Sequence, residues 1–231
     1  TPPIPLSEAP EPAFLRRRRT MAAVYLSGEG LEIGALNSPL VVPPGARVTY
    51  VDHLPVEDLR HHYPELADKE LVPVDVVDDG ERLEHFTATS QDFIIANHFL
   101  EHTQDPIGTL ARHLELLRPG GVLYLAVPNR MVTFDRDRPP TSWEHLRRDH
   151  VDGPEWSYED HLREFASLVD KLNGLELEDR INELRSTRYS IHYHVWNDTE
   201  FRTILDRAST EFDLPFTVEY CENLDGEILA I

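Results

Sequence analysis

The sequence predicts an α/β protein built on a doubly wound, seven-stranded mixed sheet, with a cap inserted between strand five and the penultimate helix. Three observations carry this reading. Short apolar runs recur along residues 31–127 at the spacing of βαβ units, each closing on Gly, Asp, Asn or Pro. The chain ends in two extended runs joined at Leu224-Asp225-Gly226, the pattern of an antiparallel pair. Between residues 128 and 197 the strand–helix alternation stops, which marks that stretch as an addition to the sheet.

The elements follow in order. Residues 1–12 hold five prolines, so residues 1–13 read as an extended leader. Residues 14–26 form a short helix. Residues 31–33 form the first strand and run into Gly34, after which Ser38-Pro39 offers an N-cap and a first-turn proline for a helix. Residues 48–51, 71–77 and 92–96 form strands two to four. Residues 103–117 form a helix that Arg118-Pro-Gly-Gly121 stops, and residues 122–127 form strand five. Further on, residues 155–172 carry a helical stripe of Leu162, Phe165, Ala166, Val169 and Leu172. Residues 189–196 are extended and residues 199–210 helical. Residues 216–222 and 227–231 close the sheet. Residues 14–127 with 198–231 thus form the core, and 128–197 the insertion.

Charge narrows the function. The chain has 231 residues, 40% of them hydrophobic, and a formal net charge of −20. A surface that acidic repels phosphate backbones, so no nucleic acid is expected as a partner. The one basic run, at residues 16–19, reads as a helix face or solvated leader. No apolar run approaches the ~18 residues that span a bilayer, so no membrane partner is expected. The single cysteine, Cys221, excludes an intrachain disulfide and a cysteine-based zinc cluster. A cytoplasmic protein with a small-molecule substrate is expected, and a homodimer is compatible with the sequence.

Ligands of doubly wound sheets bind at the carboxyl ends of the strands, near the topological switch point. There a turn at Gly34 brings backbone N–H groups close to a ligand. The segment Gly30-Leu-Glu-Ile-Gly34-Ala-Leu-Asn-Ser resembles the first motif of class I S-adenosylmethionine-dependent methyltransferases. Asp79-Gly-Glu-Arg-Leu83, Asp92-Phe-Ile-Ile-Ala-Asn-His-Phe-Leu-Glu-His102 and Arg118-Pro-Gly-Gly-Val-Leu-Tyr-Leu-Ala-Val-Pro128 resemble its later segments. The family's further glycines fall on Leu36 and Ser38. The resemblance implies a Rossmann-like methyltransferase with S-adenosylmethionine as cofactor and S-adenosylhomocysteine as product. It places Glu32, Gly34 and Ala35 at the methionyl end, Asp52 and His53 at the ribose, and Asp79 and Gly80 at the adenine. Asn97 and His98, ending strand four, line the methionine side. Asp75 and Asp78 are the lesser alternatives for adenine.

The acceptor side is expected in the insertion, which holds five of the twelve histidines. His192 and His194, two apart in an extended run, share one face. An alcohol acceptor needs its proton removed, which histidine does near neutral pH. His145, His150, His192 and His194 are therefore the candidate catalytic residues, while His102 and His161 read as structural. A divalent metal is the less favoured alternative, because Phe134-Asp135-Arg136-Asp137-Arg138, Glu144-His145 and Asp149-His150 contain suitable ligands but match no strict ligand spacing, and no metal ligand is assigned. Transfer to a hydroxyl oxygen of a metabolite or sugar-like compound is the first expectation. A small amine as acceptor, or a non-catalytic S-adenosylmethionine-binding protein, are the alternatives.

Overall fold

The computed structural model describes residues 12–231. Strands β1 (Gly28–Ile33), β2 (Ala46–Asp52), β3 (Val76–Val77), β4 (Gln91–Asn97), β5 (Leu117–Pro128), β6 (Cys221–Leu224) and β7 (Glu227–Ala230) form one sheet. Its order is β3-β2-β1-β4-β5-β7-β6. The first five strands pair in parallel, and β7 pairs antiparallel with both β5 and β6. The central strands are buried on both faces, which is why β4 reads as an unbroken apolar run. Its Phe93 and Ile95 face Met21, Ala22 and Leu26 from helix α1 (Ala13–Tyr25) and the turn after it. Its Ile94 and Ala96 face the opposite layer, built on α3 (Pro106–Leu116) and α7 (Asp198–Glu211). A short helix, α2 (Val56–His62), follows β2.

Several expectations change. The leader lies outside the described residues except at Pro12 and Ala13, and Ala13 opens α1. No helix follows Ser38-Pro39; prolines 39, 43 and 44 deprive that stretch of donors, and the Leu40 N–H goes to Glu32 Oε1 at 2.8 Å. The third strand shrinks to two residues. Pro73 interrupts its ladder, and Val72 N donates instead to Leu36 O. Helix α3 starts later than expected, because the Asp105 side chain caps it and Pro106 takes its first position. Strand β5 starts earlier, since Arg118-Pro-Gly-Gly121 belongs to the strand and carries an irregular register against β4. Strand β6 is displaced to Cys221–Leu224, fixed by the tight turn at Asp225 and Gly226, whose φ angles are 45° and 121°. The helix after the insertion is the last of the chain rather than the penultimate one, because residues 212–220 form no helix.

Segment 129–197 holds three helices, α4 (Trp143–Asp152), α5 (Tyr158–Leu168) and α6 (Gly174–Thr187). Only α5 follows from sequence periodicity. Leu162, Phe165, Ala166, Ile181, Leu184, Ile191 and Tyr193 give the segment its own apolar cluster. Trp143, Leu146 and Trp196 join it to the main core. Residues 189–196 form no regular strand, with one bridge from Trp196 to Asn129.

The arginine run lies on α1, and Arg18 turns inward. Its guanidinium forms a buried two-pronged ion pair with Glu227 at the start of β7, Nε to Oε1 at 2.7 Å and Nη2 to Oε2. The Tyr124 hydroxyl donates to the Arg18 carbonyl at 2.9 Å. Removing one partner strands the other charge in the interior. Arg18→Ala is expected to lower the unfolding free energy by about 3–5 kcal/mol in urea denaturation. The paired Arg18→Met, Glu227→Met variant should lose clearly less; equal losses would show that packing, not charge, sets the effect.

Candidate functional site

Strand β1 lies between β2 and β4, so the chain winds outward to β3 and returns beside β1. The carboxyl ends of β1 and β4 therefore open a crevice between diverging connections. Gly34 sits there with φ of 63°, and an added Cβ would meet nothing within 4 Å. Backbone conformation, not crowding, favours glycine at this turn. Ala35 follows it, half-buried. Leu36, where the family pattern has glycine, adopts the glycine-like φ of 50°. A non-glycine residue in that region is strained, and such strain gathers at functional sites.

Polar groups converge on the crevice. Glu32 is buried; Oε1 accepts from Leu40 N, while Oε2 has no hydrogen-bond partner among the described residues. Burial pushes its pKa up to about 7. Asn97 ends β4 with both amide atoms buried and likewise unpartnered. Asp52 ends β2, and its Oδ1 lies 2.8 Å from both the backbone N and the ring Nδ1 of His53. Asp78 is buried and accepts from the backbone of Asp79 and His85, whereas Asp79 stays exposed. Asp75 Oδ2 accepts from Tyr50 N and ties β2 to its neighbour. Gly80 packs tightly, since a Cβ there would come within 2.6 Å of Phe99. A cavity of about 660 Å³ lies beside Asp79, Glu81, Gln104 and Asp105. A larger one, about 1100 Å³, lies between α3, α7 and β5 with a mainly apolar lining. The cofactor expected from the sequence carries an ammonium, a carboxylate, a cis-diol and an adenine. The orphaned Glu32 oxygen and Asn97 amide, the Asp52 carboxylate and the exposed Asp79 fit those groups.

Next to Asn97 a second set of charges is packed. Asn97 leads into His98, whose φ is 51°, and then into a single helical turn over Leu100–His102. The His98 ring lies between two carboxylates, Nδ1 3.4 Å from Glu101 Oε1 and Nε2 3.1 Å from Glu227 Oε2. Burial alone lowers its pKa, but the two carboxylates outweigh burial and hold it at about 9. Glu101 is fully buried. Burial raises its carboxyl pKa, and His98, His102 and His192 together hold it below the usual range. The His192 ring meets His102 edge to face at 4.7 Å between centroids. His192 Nδ1 lies 2.7 Å from Asp135 Oδ2, and Asp135 Oδ1 accepts from buried Arg138 at 2.9 Å. A carboxylate only accepts, so Nδ1 carries the proton and Nε2 is the basic nitrogen. Single ligand atoms of Glu101, His102 and His192 lie within 4.8 Å of one another and could hold a divalent ion.

The four candidate catalytic histidines do not come together. His192 joins His102 and Glu101 beside the crevice. His194 points away from it and packs with His145, ring centroids 5.6 Å apart, and with His161. The shared face expected for His192 and His194 is thus divided: Tyr193 N and His194 N both donate to Glu101 O, so the run departs from regular strand geometry there and the alternation of side chains breaks. Burial pushes His161 down to about 3 and His194 well below its ordinary range, so both are neutral. His150 stands apart, Nδ1 2.9 Å from Asp105 Oδ2 and the ring against Phe212. Sequence reasoning missed Glu101 and Glu227, and it marked the Asp135–Arg138 segment only as a source of metal ligands, not as the partner of His192. Glu101 lies in the fourth-strand motif, and that placement is the only signal that could have found it.

His98 provides a direct test. Its folded pKa of about 9 stands above the ordinary 6.5, so its stabilising contribution is complete below pH 6.5 and disappears as pH rises through 9. The ring resonances should titrate with a midpoint near 9 in two-dimensional NMR, assigned by their loss in His98→Gln. A midpoint at or below 6.5 would remove the double ion pair.

Comparison with known proteins bears on this crevice. A family model described as a methyltransferase domain matches residues 21–209. No curated protein matches the chain. Among solved structures, a SAM-dependent methyltransferase from Aquifex aeolicus superposes with a TM-score of 0.50 at 13% identity, over 94% of this chain and 87% of that one. A Bacillus halodurans protein assigned to the methyltransferases gives 0.50 at 15% identity, over 90% and 71%. A Rhodobacter sphaeroides protein assigned to the Zn-dependent alcohol dehydrogenases gives 0.52 at 17% identity, over 95% and 89%. At such identities the superpositions speak to the fold alone. The family match spans most of the chain, so this protein belongs to the methyltransferase-domain family and is an S-adenosylmethionine-dependent methyltransferase of the Rossmann-like class I fold.

Proposed function

We propose that the enzyme methylates a hydroxyl oxygen of a small metabolite or sugar-like acceptor, with His192 as the base. The observation that carries this reading is the Arg138–Asp135–His192 chain beside Glu101, with 2.9 Å and 2.7 Å contacts. Burial raises the Asp135 carboxyl pKa, but His192 and Arg138 outweigh it and keep the group ionised. Asp135 then fixes the imidazole tautomer and stabilises the imidazolium that forms, as the acid does in other acid–histidine pairs. Nε2 takes the acceptor's proton as the new bond forms.

S-adenosylmethionine, when bound, supplies a methyl group on a cationic sulfur. The chain binds and orients it. Glu32 and Asn97, with Gly34 and Ala35, take the methionyl end; an ammonium arriving at Glu32 favours its ionised form. Asp52 and His53 take the ribose, and Asp79 and Gly80 the adenine edge. His98 closes the methionine side. In this reading residues 14–127 and 198–231 form the cofactor core, and residues 128–197 the acceptor-side insertion. No helix among the described residues is long and apolar enough to cross a membrane. The net charge of −20 favours a small acceptor over a nucleic acid, in a cytoplasmic setting, with a homodimer compatible.

Two measurements test this. Asp52→Ala should weaken S-adenosylhomocysteine binding by about 1–3 kcal/mol in calorimetry, the range for losing a buried hydrogen-bond partner. Unchanged affinity would take Asp52 out of the site. His192→Ala should lower kcat for alcohol acceptors about 10²–10⁴-fold with cofactor affinity kept, the usual contribution of a general base. Asp135→Asn should shift the rate in the same direction. Full activity on an alcohol acceptor in His192→Ala would remove His192 as the base, and methylation of small amines alone, unchanged in His192→Ala, would overturn the hydroxyl assignment.

A further inference from the structure

Four side chains that the proposed reaction does not use meet in one place. His145 and Asp149 are four residues apart on α4, so they share a helix face. His161 comes from α5 and His194 from the extended run. His145 Nε2 lies 3.0 Å from His161 Nε2 and 3.2 Å from Asp149 Oδ2. His194 Nε2 lies 3.7 Å from the same oxygen. One ligand atom from each of the four lies within 4.8 Å of all the others. A tetrahedral ion with bonds of ~2.0–2.1 Å sets its ligand atoms ~3.3–3.4 Å apart, and the three contacts bracket that edge.

The surroundings point the same way. Asp149 is 1% exposed, and its Oδ2 has no hydrogen-bond partner among the described residues. Its other oxygen accepts from Ser157 Oγ at 2.9 Å, which aims Oδ2 at the three imidazoles. A hydroxyl that hydrogen-bonds one carboxylate oxygen and so orients the other towards an ion recurs in metal sites. A buried carboxylate among imidazoles is costly unless a cation offsets it. The nearby Arg138 guanidinium is already committed to Asp135, Glu164 and two backbone carbonyls. A competing contact, His194 Nε2 to Gln104 O, is long at 3.4 Å. Trp196 stacks on His194 and Trp156 leans on His145; three of the four groups are buried and His145 is partly exposed.

We propose that His145, Asp149, His161 and His194 bind one divalent transition metal, zinc by preference, in a structural tetrahedral site. Three imidazoles and one carboxylate suit zinc, and four protein ligands leave no position open for chemistry. The ion ties α4, α5 and the extended run together. Tyr193 N and His194 N donate to Glu101 O at 2.8 and 3.3 Å, so the same clamp holds the insertion against the end of β4.

The test is metal content. The full chain, purified after growth with zinc, should carry about one zinc per chain by inductively coupled plasma mass spectrometry, retained through gel filtration. Metal-free protein should take up one equivalent of Co²⁺ and show the intense visible d–d bands of a tetrahedral site. Asp149→Asn and His194→Ala should reduce bound zinc about tenfold or more, while Glu101→Gln keeps it. A variant that unfolds also loses metal, so the cobalt spectrum of the unaltered chain decides independently. No uptake of either metal, or the faint bands of six-coordinate cobalt, would overturn the proposal. Zinc lost in Glu101→Gln and kept in Asp149→Asn would overturn it too, by moving the ion to the crevice.

Discussion

Glu101 is fully buried, and neither of its side-chain oxygens has a hydrogen-bond partner among the described residues. An isolated ionised carboxylate in that setting is costly, and the His98 ring, its pKa held at about 9, supplies positive charge beside it. His98, His102 and His192 all act on it. His102 comes from its own short turn, His98 from just before that turn, and His192 from the far end of the insertion. Its backbone carbonyl takes the N–H groups of Tyr193 and His194. One residue thus joins the end of β4 to segment 129–197, through charge on one side and backbone on the other.

The cofactor crevice depends on a different economy. Sheet topology opens it, and the chain then leaves polar atoms there without partners. Glu32 Oε2 and the Asn97 amide are buried without a protein partner, and Leu36 and His98 hold left-handed backbone conformations. Each feature lowers the stability of the chain taken alone, which is the pattern of a surface shaped for a ligand. Leu36 shows that a glycine pattern can be lost in sequence while its backbone geometry remains.

The buried Arg18–Glu227 pair connects these regions. It ties α1 to the hairpin, and Glu227 also meets His98. The first helix, the last strand and the end of β4 therefore share one set of charges. Neither the arginine run nor the glutamate announced this in sequence, because charge runs of that kind ordinarily face solvent.

Most of the sheet was legible because its signals are local. Apolar runs and the Asp225-Gly226 turn depend on residues a few positions apart. The ordered motifs from Gly30 to Pro128 likewise sufficed for the family. Helices α4 and α6 were not legible, since their apolar faces are narrow and their helicity rests on packing. The pairings Asp135 with His192, and His145 and Asp149 with His161 and His194, join residues far apart in the chain. Sequence by itself determined the winding of the sheet and the cofactor it serves. Only the tertiary structure decided which histidines meet, because turning the N–H groups of both Tyr193 and His194 to the Glu101 carbonyl breaks the alternation of the run and sends His192 to the crevice and His194 away from it.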